Sequence, residues 1–368
     1  MNSLHSVPES AGVVGPPAPR PRPTAAIVYL TQNTPIRRTY LQTSLYLLFR
    51  SFNERCRYPV LVFHEGDFTE KDMEMIKGGV PGGLGDLVQF QQVDPDDFHP
   101  PVLSVDVVEA NRMMDPYYVR NIGYRSMCRW WMHRAVRYLG PYEYYMRLDD
   151  DSFIEEPLDY DPFEAVHAAG VDYASNFVHV EYPLNTMGLL DLSRDLLGDT
   201  DRLRSLFFSC KAAEVVEPSK LKSFVDSLPG EVRQRLDLDI LSSPIIYYNN
   251  FHVARTSLWR HRAVARFFDA VDRSACIYYL RWGDAALHTI AFAAVEGLTV
   301  GRLAFRYSKR YEREKWTYVN TYTPFTRRYF ESDPLPVGDR RTGSMTDFDG
   351  FNEELAARGL SDLSRIIA

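Results

Sequence analysis

Glu143-Tyr144-Tyr145-Met146-Arg147-Leu148-Asp149-Asp150-Asp151 is the stretch on which the reading of this chain turns. Its first part has the length and apolar content of a buried strand, and it stops abruptly on three carboxylates. Working backwards, an aromatic helical pattern over about 117–139 enters this strand through Gly140-Pro141. Before it lie the apolar strands Ala25-Ala26-Ile27-Val28-Tyr29-Leu30 and Val60-Leu61-Val62-Phe63, with a helical pattern over about 37–54 between them. A further strand near 87–93 follows the glycines at 78, 79, 82, 83 and 85. That glycine turn lacks the Lys-Ser/Thr ending of a phosphate-binding P-loop and reads as an ordinary loop. Strands alternating with helices predict an α/β fold, a mainly parallel sheet flanked by helices. Ligands of such sheets sit at the carboxyl ends of the strands, which is where the aspartates fall.

Beyond the triplet, the pattern predicts a strand near 173–178, a helix-rich segment over about 186–240, and helices near 257–271 and 285–295. Residues 1–23 carry Pro16, Pro17, Pro19, Pro21 and Pro23 and read as an extended, disordered leader. Residues 24–326 read as one enlarged domain, and 327–368 as a polar tail with one or two short helices. A chain of 368 residues can bury the core such a domain needs. The net charge of −7 argues against wholesale binding to nucleic acid. No run of 18 apolar residues is present, and the N-terminus lacks the apolar core of a signal peptide. The expectation is a soluble chain, either cytoplasmic or with its membrane anchor outside this sequence. Cys56, Cys128, Cys210 and Cys276 form no CxxC pair, which excludes a zinc ribbon. Two disulfides and four buried thiols both remain open.

In an extended segment, residues two apart share a side. Asp149 and Asp151 are therefore expected to face one divalent cation, with Asp150 pointing elsewhere. A cation so held keeps positions open for diphosphate oxygens and neutralises a departing nucleoside diphosphate. A solvated acidic turn is the plain alternative. The second candidate region is Tyr247-Tyr248-Asn249-Asn250-Phe251-His252, followed by Arg281-Trp282-Gly283-Asp284-Ala285-Ala286-Leu287-His288. Asp284 could simply cap the helix that it begins, and His288 could be a core histidine.

Four segments together, Tyr124-Arg125-Ser126-Met127-Cys128-Arg129-Trp130, Tyr144–Asp149, Tyr160-Asp161-Pro162-Phe163 and Arg281–His288, resemble the fungal α-1,2-mannosyltransferases of glycosyltransferase family 15 in order and approximate spacing. The likeness covers roughly residues 25–325. It implies a GT-A fold and a retaining mannosyltransferase that uses GDP-mannose and Mn²⁺ to extend a glycan on protein or lipid. It also implies the Golgi lumen, if an anchor lies outside the sequence. By position, Tyr124 matches a nucleotide-contacting tyrosine, with Arg125 and Arg129 as diphosphate partners. Asp149 falls at the family's metal-binding glutamate. Glu181 and Tyr182 match a Glu-Tyr pair at the sugar or acceptor, and Trp282, Asp284 and His288 match its Trp-Gly-Asp motif. Asp150 is counted with the donor-binding residues.

The chain departs from the family in three places. Asp149-Asp150 replaces Glu-Pro. Thr321-Tyr322-Thr323-Pro324-Phe325 stands where a metal-binding histidine is expected, so Asp151 is assigned the missing ligand position. Asn250-Phe251-His252 replaces Asn-Phe-Glu, whose glutamate is a candidate nucleophile. A histidine cannot serve as that carboxylate, so His252 is expected to position the sugar by hydrogen bonding and transfer to follow a front-face route, with Glu181 and Asp284 as the remaining catalytic acids. The alternatives are the same fold with another nucleotide sugar, such as a UDP-hexose, or an inactive module that binds glycan or nucleotide. A metal-dependent phosphohydrolase ranks last, because the chain lacks a histidine cluster.

Overall fold

The computed structural model describes residues 21–114, 121–176, 178–303, 305–313, 316–319, 357–359 and 367. Most of the Pro-rich leader, residues 115–120, Thr321–Phe325 and most of the tail therefore lie outside the described residues. Ala25–Leu30 (β1) is buried on both faces, as its unbroken apolar run requires. It pairs in parallel with Val60–His64 (β2), which carries Val88–Gln92 (β3) on its outer side. On the other side β1 pairs in parallel with Tyr144–Leu148 (β4). Later strands are Ser152–Ile154 (β5), Tyr173–Ser175 (β6), Val178–Val180 (β7), Phe207–Lys211 (β8), Ile240–Tyr247 (β9), Phe251–Arg255 (β10), Val300–Arg302 (β11), Tyr307–Arg313 (β12) and Trp316–Val319 (β13).

The seven-stranded sheet runs β11-β6-β10-β4-β1-β2-β3. It is parallel except for β10, which is antiparallel to both β4 and β6. Two three-stranded antiparallel sheets, β13-β12-β5 and β7-β9-β8, complete the fold. The strand expected near 173–178 is thus two strands in different sheets, and the helix-rich stretch also holds β8. Both differences come from tertiary pairing, which a local pattern does not contain.

The principal helices are Pro35–Leu48 (α1), Ile122–Arg129 (α2), Arg262–Ser274 (α3) and Asp284–Ala293 (α4). Thr34 caps α1, with Pro35 in its first turn. Asn121 caps α2 through Oδ1, 2.7 Å from the Tyr124 amide. Strand alternation divides the core into two layers. Ala26, Val28, Tyr145 and Ala254 pack against Trp130, Trp131 and α4. Ile27, Tyr29, Tyr144, Met146, Phe251 and Val253 pack on the opposite face, against α1. Arg147 and His252, in register across β4 and β10, belong to the face shared with Tyr145 and α4. The four cysteines are free, and three of them are buried. Among the described residues no helix is long and apolar enough to cross a membrane. The described part of the C-terminal segment is docked on the domain. The Ile367 amide donates to Arg302 O at 2.8 Å, and the Arg358 guanidinium lies 3.5 Å from the Phe208 ring centroid.

Glu155, just after β5, is 1% exposed, and neither carboxyl oxygen has a hydrogen-bond partner among the described residues. Burial pushes its carboxyl up to about 7. A folded-state value above the unfolded one contributes stability below about pH 4.5 that is lost as pH rises through about 7. Glu155→Gln is therefore expected to stabilise the protein by about 2–3 kcal/mol more at pH 8 than at pH 5. Denaturant melts of both proteins at the two pH values check this, and a pH-independent difference would contradict it.

Candidate functional site

A charged residue inside an otherwise apolar strand has to be matched, and Arg147 is matched twice. Its side chain is 2% exposed. Nε donates to Asp149 Oδ1 at 3.1 Å and Nη1 to Asp284 Oδ2 at 2.5 Å. The guanidinium carbon sits 4.1 Å from the Trp131 ring centroid. Asp284 also accepts from Asn249 Nδ2 at 2.5 Å. Asp149 accepts from Asn250 Nδ2, and its own amide donates to Asn250 O at 3.0 Å. The aspartate triplet and the Trp-Gly-Asp turn thus meet through one buried guanidinium. Gly283, not Asp284, occupies the N-cap position of α4. The Asp284 carboxylate faces the Arg147 guanidinium instead of capping the helix.

The three aspartates diverge after β4 ends. Asp150 accepts from Thr31 Oγ1 and Arg37 Nη1, each at 2.7 Å. Arg37, in the first turn of α1, also lies 3.6 Å from Asp151 Oδ2. Asp149 and Asp151 converge on one cation, the Lys309 ammonium, with Nζ 2.7 Å from Asp149 Oδ2 and 3.0 Å from Asp151 Oδ1. The β5–β12 ladder places Lys309 opposite Ser152, directly beside the triplet. Although burial opposes it, the Arg147 and Lys309 charges hold the Asp149 carboxyl below its ordinary value. Burial pushes Asp151 up to about 6.

These positions bear on the expected Mn²⁺. Asp149 and Asp151 do share a side, but the place between them is taken by an ammonium. Among the described residues no three His, Cys, Asp or Glu side chains group as a metal-ligand set. A divalent ion would have to share both carboxylates with the ammonium already paired to them, and no third protein ligand stands beside them among the described residues. With Lys309 in place the carboxylates do not fit a divalent cation.

Arg125 is buried, donating to Tyr278 O and, at 3.1 Å, to Asn111 Oδ1. Arg129 is bound to Asp272 of α3 at 2.5 Å. Both guanidiniums tie helices together rather than turn to the end of β4. Tyr124 is half-buried, its ring 5.6 Å from the Arg281 guanidinium. Arg281 in turn donates to Asn185 Oδ1. Glu181 Oε1 accepts from the Tyr182 amide at 2.8 Å and from Asn185 Nδ2 at 2.9 Å. A Cβ added at Gly283 would lie 4.0 Å from Glu181 Oε2, so this carboxylate stands beside the start of α4. Tyr182 is 41% exposed. Trp282 is buried, with Nε1 donating to Met187 O at 2.9 Å.

The two histidines have core environments. His252 is fully enclosed in the central sheet, hydrogen-bonded through Nε2 to Tyr145 Oη at 2.8 Å and stacked on Tyr173. Burial and the nearby Arg147 charge hold it neutral, well below its usual value. The expected hydrogen bond from His252 to a sugar has no geometry here, because sheet and helix cover the ring on all sides. His288 is likewise enclosed, with Nε2 3.2 Å from Trp131 O, and burial lowers it to about 4. Sequence reasoning missed Thr31, Arg37, Asn249 and Lys309 as partners of the carboxylates. Arg147 alone carried a visible signal, a charge in an apolar strand.

The sequence profile of the glycolipid 2-alpha-mannosyltransferase family matches residues 8–194 and 222–328. The chain is 24% identical over 283 residues to O-glycoside alpha-1,2-mannosyltransferase omh1 of Schizosaccharomyces pombe, covering 74% of this chain and 65% of that protein. It is 24% identical over 281 residues to the glycolipid 2-alpha-mannosyltransferase of Saccharomyces cerevisiae, covering 74% of this chain and 57% of the relative. The match thus spans less than two thirds of either relative's length. Among solved structures, core-mannan synthase A of Aspergillus fumigatus in its Mn/GDP form superposes with a TM-score of 0.59 at 17% identity, over 90% of this chain and 87% of that one. The mannosyltransferase Ktr4p of S. cerevisiae gives 0.60 at 17% identity, over 83% and 77%. These likenesses establish a shared GT-A-like fold. With the profile matching most of its length, this chain belongs to the glycolipid 2-alpha-mannosyltransferase family.

Proposed function

We propose that the chain is a retaining glycosyltransferase that moves an α-mannosyl group from GDP-mannose to a glycan acceptor on protein or lipid. The observation that carries this reading is the Asp149–Arg147–Asp284 bridge. It joins, at the carboxyl end of β4, the two segments covered by the family profile. The relatives' names specify α-1,2-mannosyl transfer, and a neighbour of the same fold was solved with Mn and GDP. Both support a GDP-linked donor here.

Three residues were candidates for the chemistry. His252 is sealed in the core, and Asp284 is neutralised by Arg147. Glu181 is half-buried, outside the sheet and beside the start of α4, and it is the carboxylate we assign to the developing positive charge on the transferred sugar. Tyr182 beside it offers a ring face to a sugar. Tyr124, stacked near Arg281, contacts the nucleotide. No carboxylate replaces the family's Asn-Phe-Glu nucleophile at His252. Transfer therefore proceeds on the face from which the diphosphate leaves, and the diphosphate accepts the acceptor's proton.

Incubating the protein with GDP-mannose and methyl α-mannoside, beside a panel of UDP-hexoses, tests the reading. A dimannoside with an α linkage by mass spectrometry and NMR is expected. Transfer from a UDP-hexose instead would remove the donor assignment, and a β-linked product would remove retention.

A further inference from the structure

The Lys309 ammonium occupies the place that the family resemblance reserves for a metal. It lies 2.7 Å from Asp149 Oδ2 and 3.0 Å from Asp151 Oδ1, with its side chain 14% exposed. This is a built position and not a stray surface contact. The β5–β12 ladder pairs Tyr307 with Ile154, Ser308 with Phe153 and Lys309 with Ser152. Tyr307 Oη is anchored 2.6 Å from Ser152 Oγ, which fixes the ribbon one residue from Asp151. Arg37 and Arg147 meet the same triplet from α1 and β4. Four carboxylates, Asp149, Asp150, Asp151 and Asp284, therefore face three fixed cations, and little negative charge is left to draw a divalent ion. Arg37 keeps 41% of its side chain exposed. Lys309 Nζ donates a hydrogen bond to Asp149 Oδ2 and meets Asp151 Oδ1 as an ion pair.

We propose that Lys309 replaces the divalent cation, so that this chain binds the diphosphate of its nucleotide at the carboxyl end of β4 without a metal, through Lys309 and the exposed guanidinium of Arg37. An ammonium offers hydrogen bonds and one fixed charge to phosphate oxygens, as phosphate-binding lysines do. The inference rests on the nucleotide-sugar reading for its ligand, but not for its cation.

Two measurements on the full chain test it. Electron paramagnetic resonance titration with Mn²⁺ alone, without nucleotide, is expected to show no tightly bound ion in the wild type and a gained site in Lys309→Ala. A tight site in the wild type that Asp151→Asn removes would overturn the proposal. Calorimetry with GDP in EDTA and in Mn²⁺ should give affinities within about threefold of each other, whereas Lys309→Met in EDTA should lose about tenfold or more. Wild-type binding of GDP that appears only with Mn²⁺ would equally overturn it. Because the wild-type comparisons need no substitution, a poorly folded Lys309 variant does not shield the proposal. If UDP binds in place of GDP with the same indifference to Mn²⁺, the donor assignment falls and the role of Lys309 stands.

Discussion

Replacing Arg147 by methionine is expected to destabilise the protein by about 3–5 kcal/mol, the range for breaking a buried ion pair by removing one partner. Methionine fills much of the guanidinium's volume, so the loss is electrostatic more than steric. Asp149 would keep Lys309 and Asn250, but among the described residues Asp284 would keep only Asn249 as a side-chain hydrogen-bond partner. The contact with the Trp131 ring would go as well. Denaturant unfolding monitored by tryptophan fluorescence measures the effect, and the melting temperature should fall by about 4–7 °C. Adding Asp284→Asn to Arg147→Met should return part of the loss, because the amide needs no counter-charge. A variant as stable as the wild type would mean that the buried bridge does not hold the two halves of the site together.

Glu181→Gln should leave the fold intact while cutting mannosyl transfer by about 10²–10³-fold, the size of effect seen when one preorganised electrostatic group at a transition state is lost. Glutamine is isosteric, and its Oε1 still accepts from the Tyr182 amide and Asn185 Nδ2. Melting temperature and GDP affinity should therefore be unchanged, and the deficit should appear in kcat. Steady-state kinetics with GDP-mannose, paired with a thermal melt, separates the two. Transfer within tenfold of the wild type would move the chemistry away from Glu181.

Much of the scaffold was legible locally. β1, β2 and β4 are apolar runs that had to be buried on both faces, and their order with the intervening helices implied a parallel sheet. The triplet's position at the end of β4 followed from the same pattern. What escaped was everything decided by pairing across distance. β10 enters the sheet antiparallel, and that reversal places His252 between β4 and β6, inside the core. Its neighbours on the chain, Asn249 and Asn250, look like site residues and do touch Asp284 and Asp149, whereas the histidine two positions on is sealed off.

The sequence by itself determined that strand ends and carboxylates would coincide, because apolar length and alternation are properties of neighbouring residues. The triplet itself lies in a turn closed by the Ser152 amide on Asp149 O, so strand alternation does not govern it: Asp151 shares Lys309 with Asp149 and Arg37 with Asp150. Only the tertiary structure decided which cation each carboxylate meets. Lys309 lies 160 positions from Asp149, and no local periodicity links the two. The antiparallel register of β12 on β5 brings its ammonium to the carboxylates, and burial then makes that pairing obligatory, since a carboxylate withdrawn from water needs its counter-charge close at hand.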